Sequence, residues 1–286
     1  MTATGSKMLG WISEESESDT RTTYPVTQRI WEGATDVCES VIIAQSSVFG
    51  RMLFLDGELQ SAAADEHIYH ETLVHPAMAA APSASRVLVV GGGEGATVRE
   101  VLKWNPATVD WIDIDRVLVQ LCDEHLKWAP DVLKHPNVRY QGCDIRDALP
   151  TLGQYDVIIL DLPDPDGDTG YLYSKQFMRD MQIHLDLDGF IVTHCGPVRP
   201  FGRIGEGYQR LLPMFGFSAF YTQAIPSFQG EWGFMIWPAG RFHRAVQNEL
   251  PPNLRIVDKE QIHRWFNPTK LWHQAIISAG DMYTSR

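Results

Sequence analysis

A cluster of carboxylates marks one place in the chain where chemistry is expected. Four aspartates fall within the eight residues 161–168, and they directly follow residues 155–160, an apolar run typical of a buried strand. In an open α/β sheet, ligands bind at the carboxyl ends of the strands. A carboxylate at that position can hold an ammonium group or accept its proton. Asp161 is the strongest candidate because it emerges directly from the strand; a solvated acidic loop is the alternative.

A glycine-rich turn forms a second candidate site. The β-branched, apolar residues 86–90 lead into Gly91-Gly92-Gly93-Glu94-Gly95 and then into a predicted helix. Glycine allows positive φ and lets the backbone approach a ligand closely, so a strand, glycine turn and helix in this order are typical of nucleotide binding. Asp113 ends the second strand, eighteen residues after Gly95. A carboxylate there can accept hydrogen bonds from both ribose hydroxyls, and the combination predicts a nucleoside ligand.

Two further acidic positions leave alternatives open. Asp115 shares a strand face with Asp113, so position alone does not separate them, and one of the two could cap the next helix. At the end of the third strand, Asp144 could accept a hydrogen bond from an adenine amino group while Ile145 packs on the ring. Alternatively, Asp144 only caps a helix that starts near Arg146.

The elements that must position these residues alternate between strands and helices. The predicted strands are residues 86–90, 108–114, 138–141, 156–161 and 189–194, and the predicted helices are residues 97–104 and 117–126. This alternation implies an α/β fold with a parallel sheet covered on both faces. Two late runs, residues 217–222 and 232–236, could complete the sheet as an antiparallel hairpin.

The first part of the chain has a different pattern. Between Arg29 and Gln60, the short runs 40–44 and 51–55 are separated by glycine-containing turns, which predicts a small antiparallel sheet. Helical spacing follows at residues 65–81. We therefore expect a disordered acidic tail at residues 1–20, a small N-terminal β domain with a connecting helix at 21–80, and a Rossmann-like catalytic domain at 81–286.

Composition limits the possible partners. The 286 residues include 24 basic and 36 acidic side chains, for a net charge of −12, so nucleic acid and acidic membranes are disfavoured and a cationic substrate is favoured. Acidity for solubility alone is the alternative. The four cysteines form no CxxC pair, which predicts reduced thiols. Without a signal peptide or a long apolar run, a cytoplasmic protein with no membrane association is expected.

Together these motifs resemble the polyamine aminopropyltransferase family of spermidine, spermine and thermospermine synthases, over about residues 38–237. The motifs that carry the resemblance are LDGELQ at 55–60, DEHIYHE at 65–71, GGGEG at 91–95, DID at 113–115 and DLPDP at 161–165. The resemblance implies a Rossmann-like parallel sheet of the class I methyltransferase type with an antiparallel hairpin, plus a small N-terminal antiparallel β domain. It also implies a homodimer or homotetramer.

The resemblance further implies decarboxylated S-adenosylmethionine as co-substrate, methylthioadenosine as product and no metal. Glu94 matches the acid that contacts the aminopropyl ammonium. A carboxylate there would repel the extra carboxylate of ordinary S-adenosylmethionine. Asp161 matches the catalytic acid, with Tyr69 beside it, and Asp164 matches a second group that binds the substrate amine. The remaining cofactor residues implied by the match are Gly91, Gly93, Gly95, Asp113 for the ribose, Asp144 and Ile145 for the adenine, and Gln60 and His70 elsewhere in the pocket.

Departures from the spermidine synthase pattern concern the acceptor. Glu94 replaces the usual aspartate, Leu162-Pro163 replaces serines, and Phe228 replaces a tyrosine. Together with Trp232 these features look more like thermospermine synthases. Without the tyrosine hydroxyl, an aromatic wall remains, which suits a longer acceptor such as spermidine, with putrescine as the alternative. Glu39, where many relatives have glutamine, adds a possible acid in the pocket.

The reaction expected from the resemblance is an in-line displacement in which a polyamine amine attacks the carbon next to the sulfonium, with Asp161 as base. Three other functions share parts of the pattern: a methyltransferase that uses intact S-adenosylmethionine, a polyamine-binding protein without turnover, and an NAD-dependent oxidoreductase. Glu94 disfavours the first of these. A metal site at His67 and His70 is disfavoured because no further ligand has suitable spacing. We expect His75 on the surface of its helix or as a cap against Pro76.

Overall fold

A computed structural model describes residues 8–15, 21–163, 170–198, 218–238 and 248–266. Its N-terminal part consists of β1 (Gly10–Glu15), β2 (Arg21–Val26), β3 (Gln28–Gly33), β4 (Val41–Ser46), β5 (Gly50–Leu55) and β6 (Glu58–Ala62). Strands β1 and β2 form an antiparallel ribbon, and β3 to β6 form a four-stranded antiparallel sheet in chain order. The small antiparallel sheet expected from the sequence is therefore present.

The expectation that residues 1–20 are disordered is wrong for Gly10–Glu15, which pair in register with β2. Ile12 is buried against Tyr24 and Phe54. Glu14 accepts a hydrogen bond from the Tyr24 hydroxyl at 3.0 Å. The acidic composition concealed this strand because its single buried apolar side chain finds its partners only in other strands.

The larger part of the chain is built on a seven-stranded sheet. Its strands are β7 (Arg86–Gly91), β8 (Thr108–Asp113), β9 (Val138–Gly142), β10 (Tyr155–Asp161), β11 (Leu185–Val198), β12 (Ala219–Ile225) and β13 (Gly230–Trp237). They lie in the order β12-β13-β11-β10-β7-β8-β9, with β7 to β11 parallel and β13 antiparallel to both of its neighbours. This arrangement confirms the α/β, Rossmann-like class I methyltransferase-type sheet with its antiparallel hairpin.

Helices cover both faces of this sheet. They are α1 (Glu66–Ala80), α2 (Ala96–Leu102), α3 (Arg116–His125), α4 (Ile145–Ala148), α5 (Lys175–Ile183) and α6 (Lys259–Trp265). Alternation along β7 places Val87 and Val89 in one buried cluster and Leu88 and Val90 in another. Both faces are therefore apolar, as parallel sheets require. Within the described ranges, no helix is long and apolar enough to cross a bilayer.

Helix α1 runs through the core against α2 and the sheet, and it is buried along most of its length. It contains Pro76, which has no N–H to donate to the carbonyl of Thr72. The hydroxyl of Tyr221 on β12 donates to that carbonyl instead, at 2.9 Å. The break in the helical hydrogen bonds is thus satisfied by the sheet, and α1 continues to Ala80.

The expected surface position of His75 is wrong, because α2 covers this side of α1. His75 is fully buried, and its Nε2 atom lies 2.9 Å from the Glu100 carboxylate. Its Nδ1 atom accepts a hydrogen bond from Trp104 Nε1 at 2.9 Å. These contacts join α1 to α2 and its C-terminal end.

Glu71 on α1 anchors a distant part of the chain. Its carboxylate is fully buried and accepts hydrogen bonds from the backbone N–H groups of Arg255, Ile256 and Val257 at 2.8 to 3.3 Å. A buried carboxylate requires such partners. The segment that leads into α6 is therefore fixed to the helix that also carries Tyr69.

Candidate active site

The candidate site lies where the order of the parallel strands reverses, between β7 and β10. Strand β7 has β8 on one side and β10 on the other, and β10 continues the sheet to β11. Asp161, the last residue of β10, pairs with Gly91, the last residue of β7. Ligands bind at such a switch point in open α/β sheets. The fold therefore brings the predicted glycine turn and the predicted catalytic acid together.

The first two glycines of the turn are required by their contact with Asp161. Gly91 and Gly92 have φ values of 82° and 70°. A Cβ at Gly91 would lie 2.0 Å from the carbonyl oxygen of Asp161, and one at Gly92 would lie 2.9 Å from its Oδ2 atom. The Gly92 N–H donates to the same carbonyl at 2.8 Å. A side chain at either position would displace the acid.

Both carboxylate oxygens of Asp161 accept hydrogen bonds from hydroxyl groups. Tyr69 on α1 donates to Oδ1 at 2.7 Å, and Thr97 on α2 donates to Oδ2 at 2.6 Å. The expected neighbour Tyr69 is thus in place. Thr97 was missed, because a threonine within a predicted helix gives no signal unless the packing partner of that helix is known.

Glu94 forms a buried ion pair with His70. The Oε1 atom of Glu94 lies 2.7 Å from His70 Nε2 and accepts a hydrogen bond from Ser61 Oγ at 3.1 Å. The other ring nitrogen of His70 lies 3.1 Å from the Glu66 carboxylate. Burial opposes a charged imidazole, but Glu94 and Glu66 raise the pKa of His70 well above its usual value. Burial raises the pKa of Glu94, and His70 opposes that rise.

The ion pair extends through Glu66 to Arg99 on α2. Arg99 donates to both carboxylate oxygens of Glu66, at 2.8 and 3.1 Å. Burial acts against ionisation of Glu66, but hydrogen bonds from His70 and Arg99 lower its pKa to about 2. Charges of alternating sign therefore run from Arg99 through Glu66 and His70 to Glu94. The four-residue spacing of Glu66 and His70 on α1 was the one sequence signal for this line.

Asp113 and Asp115 make different contacts in the structure. Asp115 caps α3, accepting from the Leu118 N–H at 2.8 Å, and it also accepts from the Thr35 hydroxyl. Asp113 is buried beside the glycine turn, where a Cβ at Gly93 would lie 3.3 Å from its Oδ2 atom. Burial raises the pKa of Asp113 to about 7, although the N–H of Asp115 opposes the rise. Asp113 is therefore the acid that faces the turn.

After β9, Asp144 makes the contacts expected of a helix cap, which was the alternative to adenine binding. Asp144 caps α4, accepts from the Arg146 N–H at 2.8 Å and binds the Arg146 guanidinium. These hydrogen bonds lower the pKa of Asp144. Ile145 is buried in the cluster that contains Leu88 and Ile112. Roles for Asp144 and Ile145 in adenine binding stay predictions.

Aromatic side chains form a wall next to Asp161. The ring centroids of Phe228 and Trp232 are 4.7 Å apart, and those of Phe228 and Tyr69 are 6.2 Å apart. Trp232 Nε1 donates to His194 Nδ1 at 3.3 Å, while the other ring nitrogen of His194 donates to the Leu162 carbonyl. His194, which the sequence did not single out, thus connects this wall to the start of the acidic loop.

The remaining predicted site residues are Gln60, Glu39 and Asp164. Gln60 lies half-buried on β6, and Glu39 is exposed in the loop between β3 and β4. In the part of the chain that the structure describes, neither is among the residues bonded to Asp161 or Glu94. Asp164 lies outside the described residues. Among the described residues, no group of three metal-binding side chains is found.

Comparison with known proteins identifies the family of this chain. A family model of the spermine/spermidine synthase domain matches residues 66–244, and one of the spermidine synthase tetramerisation domain matches residues 10–62. The chain belongs to the spermine/spermidine synthase family. The family resemblance carried by the five motifs is therefore confirmed, and the break between the two matched regions falls just before α1.

Named relatives of this spermine/spermidine synthase family member are aminopropyl-transferring enzymes, and the chain is an enzyme of that class. Polyamine aminopropyltransferase 1 of Hyperthermus butylicus is 39% identical over 216 residues, which cover 72% of this chain and 73% of the relative. The thermospermine synthase ACAULIS5 of Arabidopsis thaliana is 31% identical over 234 residues, with 79% and 69% covered.

Solved structures of the family share the fold. A spermidine synthase in complex with the transition state analogue AdoDATO superimposes with a TM-score of 0.84 at 22% identity, covering 96% of this chain and 97% of the other. The spermidine synthase from Thermotoga maritima superimposes with a TM-score of 0.81 at 20% identity, covering 96% of each chain.

Proposed function

We propose that this enzyme transfers the aminopropyl group of decarboxylated S-adenosylmethionine to spermidine, giving thermospermine or spermine. The observation that carries the proposal is the position of two acids at the switch point of the sheet. Glu94 lies within the glycine turn, and Asp161 lies against that turn with an aromatic wall beside it. One acid faces the cationic co-substrate and the other faces the attacking amine.

The described residues fit the co-substrate in three respects. The glycine turn presents backbone where a side chain would collide with its neighbours. The buried carboxylate of Asp113 suits the two ribose hydroxyls. The buried carboxylate of Glu94 suits the aminopropyl ammonium and disfavours a second carboxylate. The co-substrate supplies the sulfonium leaving group.

Asp161 acts as the base in this proposal. A polyamine amine is mostly protonated near neutral pH, so a proton must leave before the nitrogen can attack. The nitrogen bonds to the carbon next to the sulfonium, the bond from carbon to sulfur breaks, and its electron pair leaves with methylthioadenosine. The amine proton passes to the carboxylate of Asp161. Hydrogen bonds from Tyr69 and Thr97 hold that carboxylate in one orientation.

The aromatic wall supports spermidine as the acceptor. Phe228 and Trp232 present apolar ring surface next to Tyr69, which suits the methylene segments of a long acceptor and attracts its ammonium groups. Asp164 would bind another acceptor nitrogen, as its match to the family implies. Similarity to the Arabidopsis thermospermine synthase also supports this choice.

We also propose that the enzyme is a homotetramer or homodimer assembled through its N-terminal strands. The match of residues 10–62 to a tetramerisation domain supports this arrangement. Leu9 and Trp11, beside and within β1, are 69% and 56% exposed. Apolar side chains of this size on a surface are typical of subunit contacts.

The test is an assay of the purified protein with each combination of substrates. Decarboxylated and intact S-adenosylmethionine are each paired with putrescine, spermidine or spermine, and the products are separated so that thermospermine and spermine are distinguished. Transfer from the decarboxylated form to spermidine is expected. Preferential conversion of putrescine would overturn the assignment of the acceptor, and transfer only from the intact form would overturn the whole proposal.

A further inference from the structure

We propose that Thr97 is a positioning residue that fixes the carboxylate of Asp161 for proton transfer. The inference rests on the proposed function, in which Asp161 is the base. The Thr97 hydroxyl donates to Asp161 Oδ2 at 2.6 Å, across 64 positions of sequence. Thr97 does not itself face the substrates in this proposal, and it acts through the acid.

The hydroxyl of Thr97 is used for its hydrogen bond to Asp161 and not for packing. The residue is fully buried at the start of α2. A threonine in a helix commonly bonds a backbone carbonyl in the preceding turn. Here the hydroxyl bonds the carboxylate that emerges from β10 instead. Valine has nearly the same shape and would fill the same space, so packing alone does not require a hydroxyl at this position.

The two hydroxyls that bind Asp161 lie on different oxygens and different elements. Tyr69 on α1 binds Oδ1, and Thr97 on α2 binds Oδ2. Gly92 closes a third side, because a Cβ there would lie 2.9 Å from Oδ2 and 3.5 Å from the Thr97 Cβ atom. With both oxygens held, the carboxylate cannot rotate about its last bond. Without Thr97, one oxygen is released while Tyr69 still holds the other.

A base that can rotate spends less time aligned with the attacking amine. Displacements of about 1 Å can cost on the order of 100-fold in rate. Substrate binding uses other groups, chiefly Asp113 and Glu94 in the proposed function. Loss of the Thr97 hydroxyl should therefore lower kcat and leave binding nearly unchanged. A purely structural role would instead lower the melting temperature and affect all parameters together.

The experiment compares Thr97→Val with Thr97→Ser. The valine variant should lose about 10- to 100-fold in kcat, with KM values, methylthioadenosine affinity and melting temperature close to those of wild type. The serine variant, which keeps the hydroxyl, should recover most of the rate. Should the valine variant fold poorly, Thr97→Ala compared with Thr97→Ser gives the same contrast.

The Asp161→Ala variant is used to test whether Thr97 acts through the Asp161 carboxylate. In single-turnover assays, adding Thr97→Val to Asp161→Ala should cause no further loss, because the group that Thr97 holds is absent. A full additional loss in that background, or a valine variant as fast as wild type, would overturn the inference. Different results would contradict the proposed function: a wild-type enzyme that does not transfer an aminopropyl group, or an Asp161→Ala variant that keeps the wild-type rate.

Discussion

The Glu94 carboxylate and the His70 imidazole form an ion pair at 2.7 Å inside the protein, and a second acid, Glu66, lies on the other side of the imidazole. Arg99 pairs with Glu66, so His70 and Glu94 end a line of alternating charges at the glycine turn. In the proposed function, the Glu94 carboxylate at that end attracts the aminopropyl ammonium of the co-substrate. We therefore propose this ion pair as the feature that distinguishes the decarboxylated from the intact co-substrate.

The variant Glu94→Gln tests this selection. Removing the charge should weaken binding of decarboxylated S-adenosylmethionine by about 10- to 100-fold, the usual worth of a charged hydrogen bond, and should change the affinity for the intact form much less. Calorimetric titration of both forms measures the ratio. Glu94→Asp, which keeps the charge, is the matched control. An unchanged ratio in Glu94→Gln would assign the selection to other residues.

Asp161→Asn should reduce kcat by about 1,000-fold, within the range that general acid–base catalysis supplies. Its affinity for methylthioadenosine should stay close to that of wild type, because the nucleoside is held by other groups. Single-turnover rates and product titration measure the two quantities. Tyr69→Phe removes only one hydrogen bond to Asp161, so its kcat should lie between those of wild type and Asp161→Asn. Near-normal turnover in Asp161→Asn would exclude it as the base.

The buried position of Asp113 predicts that nucleoside binding depends on pH. Its pKa of about 7 means that Asp113 is protonated at lower pH, and only the carboxylate can accept from both ribose hydroxyls. The dissociation constant for methylthioadenosine should therefore rise by up to about tenfold per pH unit below 7 and become constant above about pH 8. Titration calorimetry measures this dependence. Asp113→Asn should bind weakly at every pH, and a flat wild-type profile would contradict the prediction.

Phe228→Tyr should shift the enzyme toward a shorter acceptor. A tyrosine hydroxyl in the aromatic wall beside Tyr69 would bind an amine near the position that methylene groups occupy in the proposed function. The ratio of kcat/KM for putrescine to that for spermidine should rise by about tenfold, the worth of one added hydrogen bond. Phe228→Leu is the control, since it removes the ring without adding a hydroxyl. No change in Phe228→Tyr would place acceptor selection elsewhere.

Glu71→Ala should destabilise the protein strongly. The substitution leaves three backbone N–H groups, of which that of Val257 is buried, without their acceptor, at a cost of about 3 kcal/mol in the free energy of unfolding. Glu260→Ala removes an exposed ion pair with Arg264 and should cost less than about 1 kcal/mol. Urea unfolding of both variants gives the comparison. Equal losses would show that Glu71 does not anchor the segment before α6.

Much of the fold could be predicted because its signals are local. Strand β7 is a continuous apolar run, and β10 is another that ends at an acid. Such runs indicate buried parallel strands wherever they occur. The carboxyl ends of parallel strands meet at one edge, so the approach of Asp161 to the glycine turn followed from the alternation of elements. The pairing of Tyr69 with Asp161 followed from the family resemblance.

Side-chain partners from distant segments could not be predicted in this way. Thr97 and Arg99 look ordinary in their helix, and their roles depend on β10 and α1 packing against it. His75 has no sequence feature that separates a buried position from an exposed one, because its partner on the covering helix, Glu100, lies 25 positions later. The choice between Asp113 and Asp115 also required the packed structure, since the sequence pattern placed both on one strand face, whereas the strand ends at Asp113 and Asp115 caps α3.

By itself, then, the sequence determined the sheet, the glycine turn and the acids at its edge, because each depends on residue type and short-range spacing. Only the tertiary structure decided which acid faces the turn, which hydroxyls hold Asp161 and how charge runs from Arg99 to Glu94. Those outcomes depend on burial and on contacts between residues far apart in the chain, and a linear pattern contains neither.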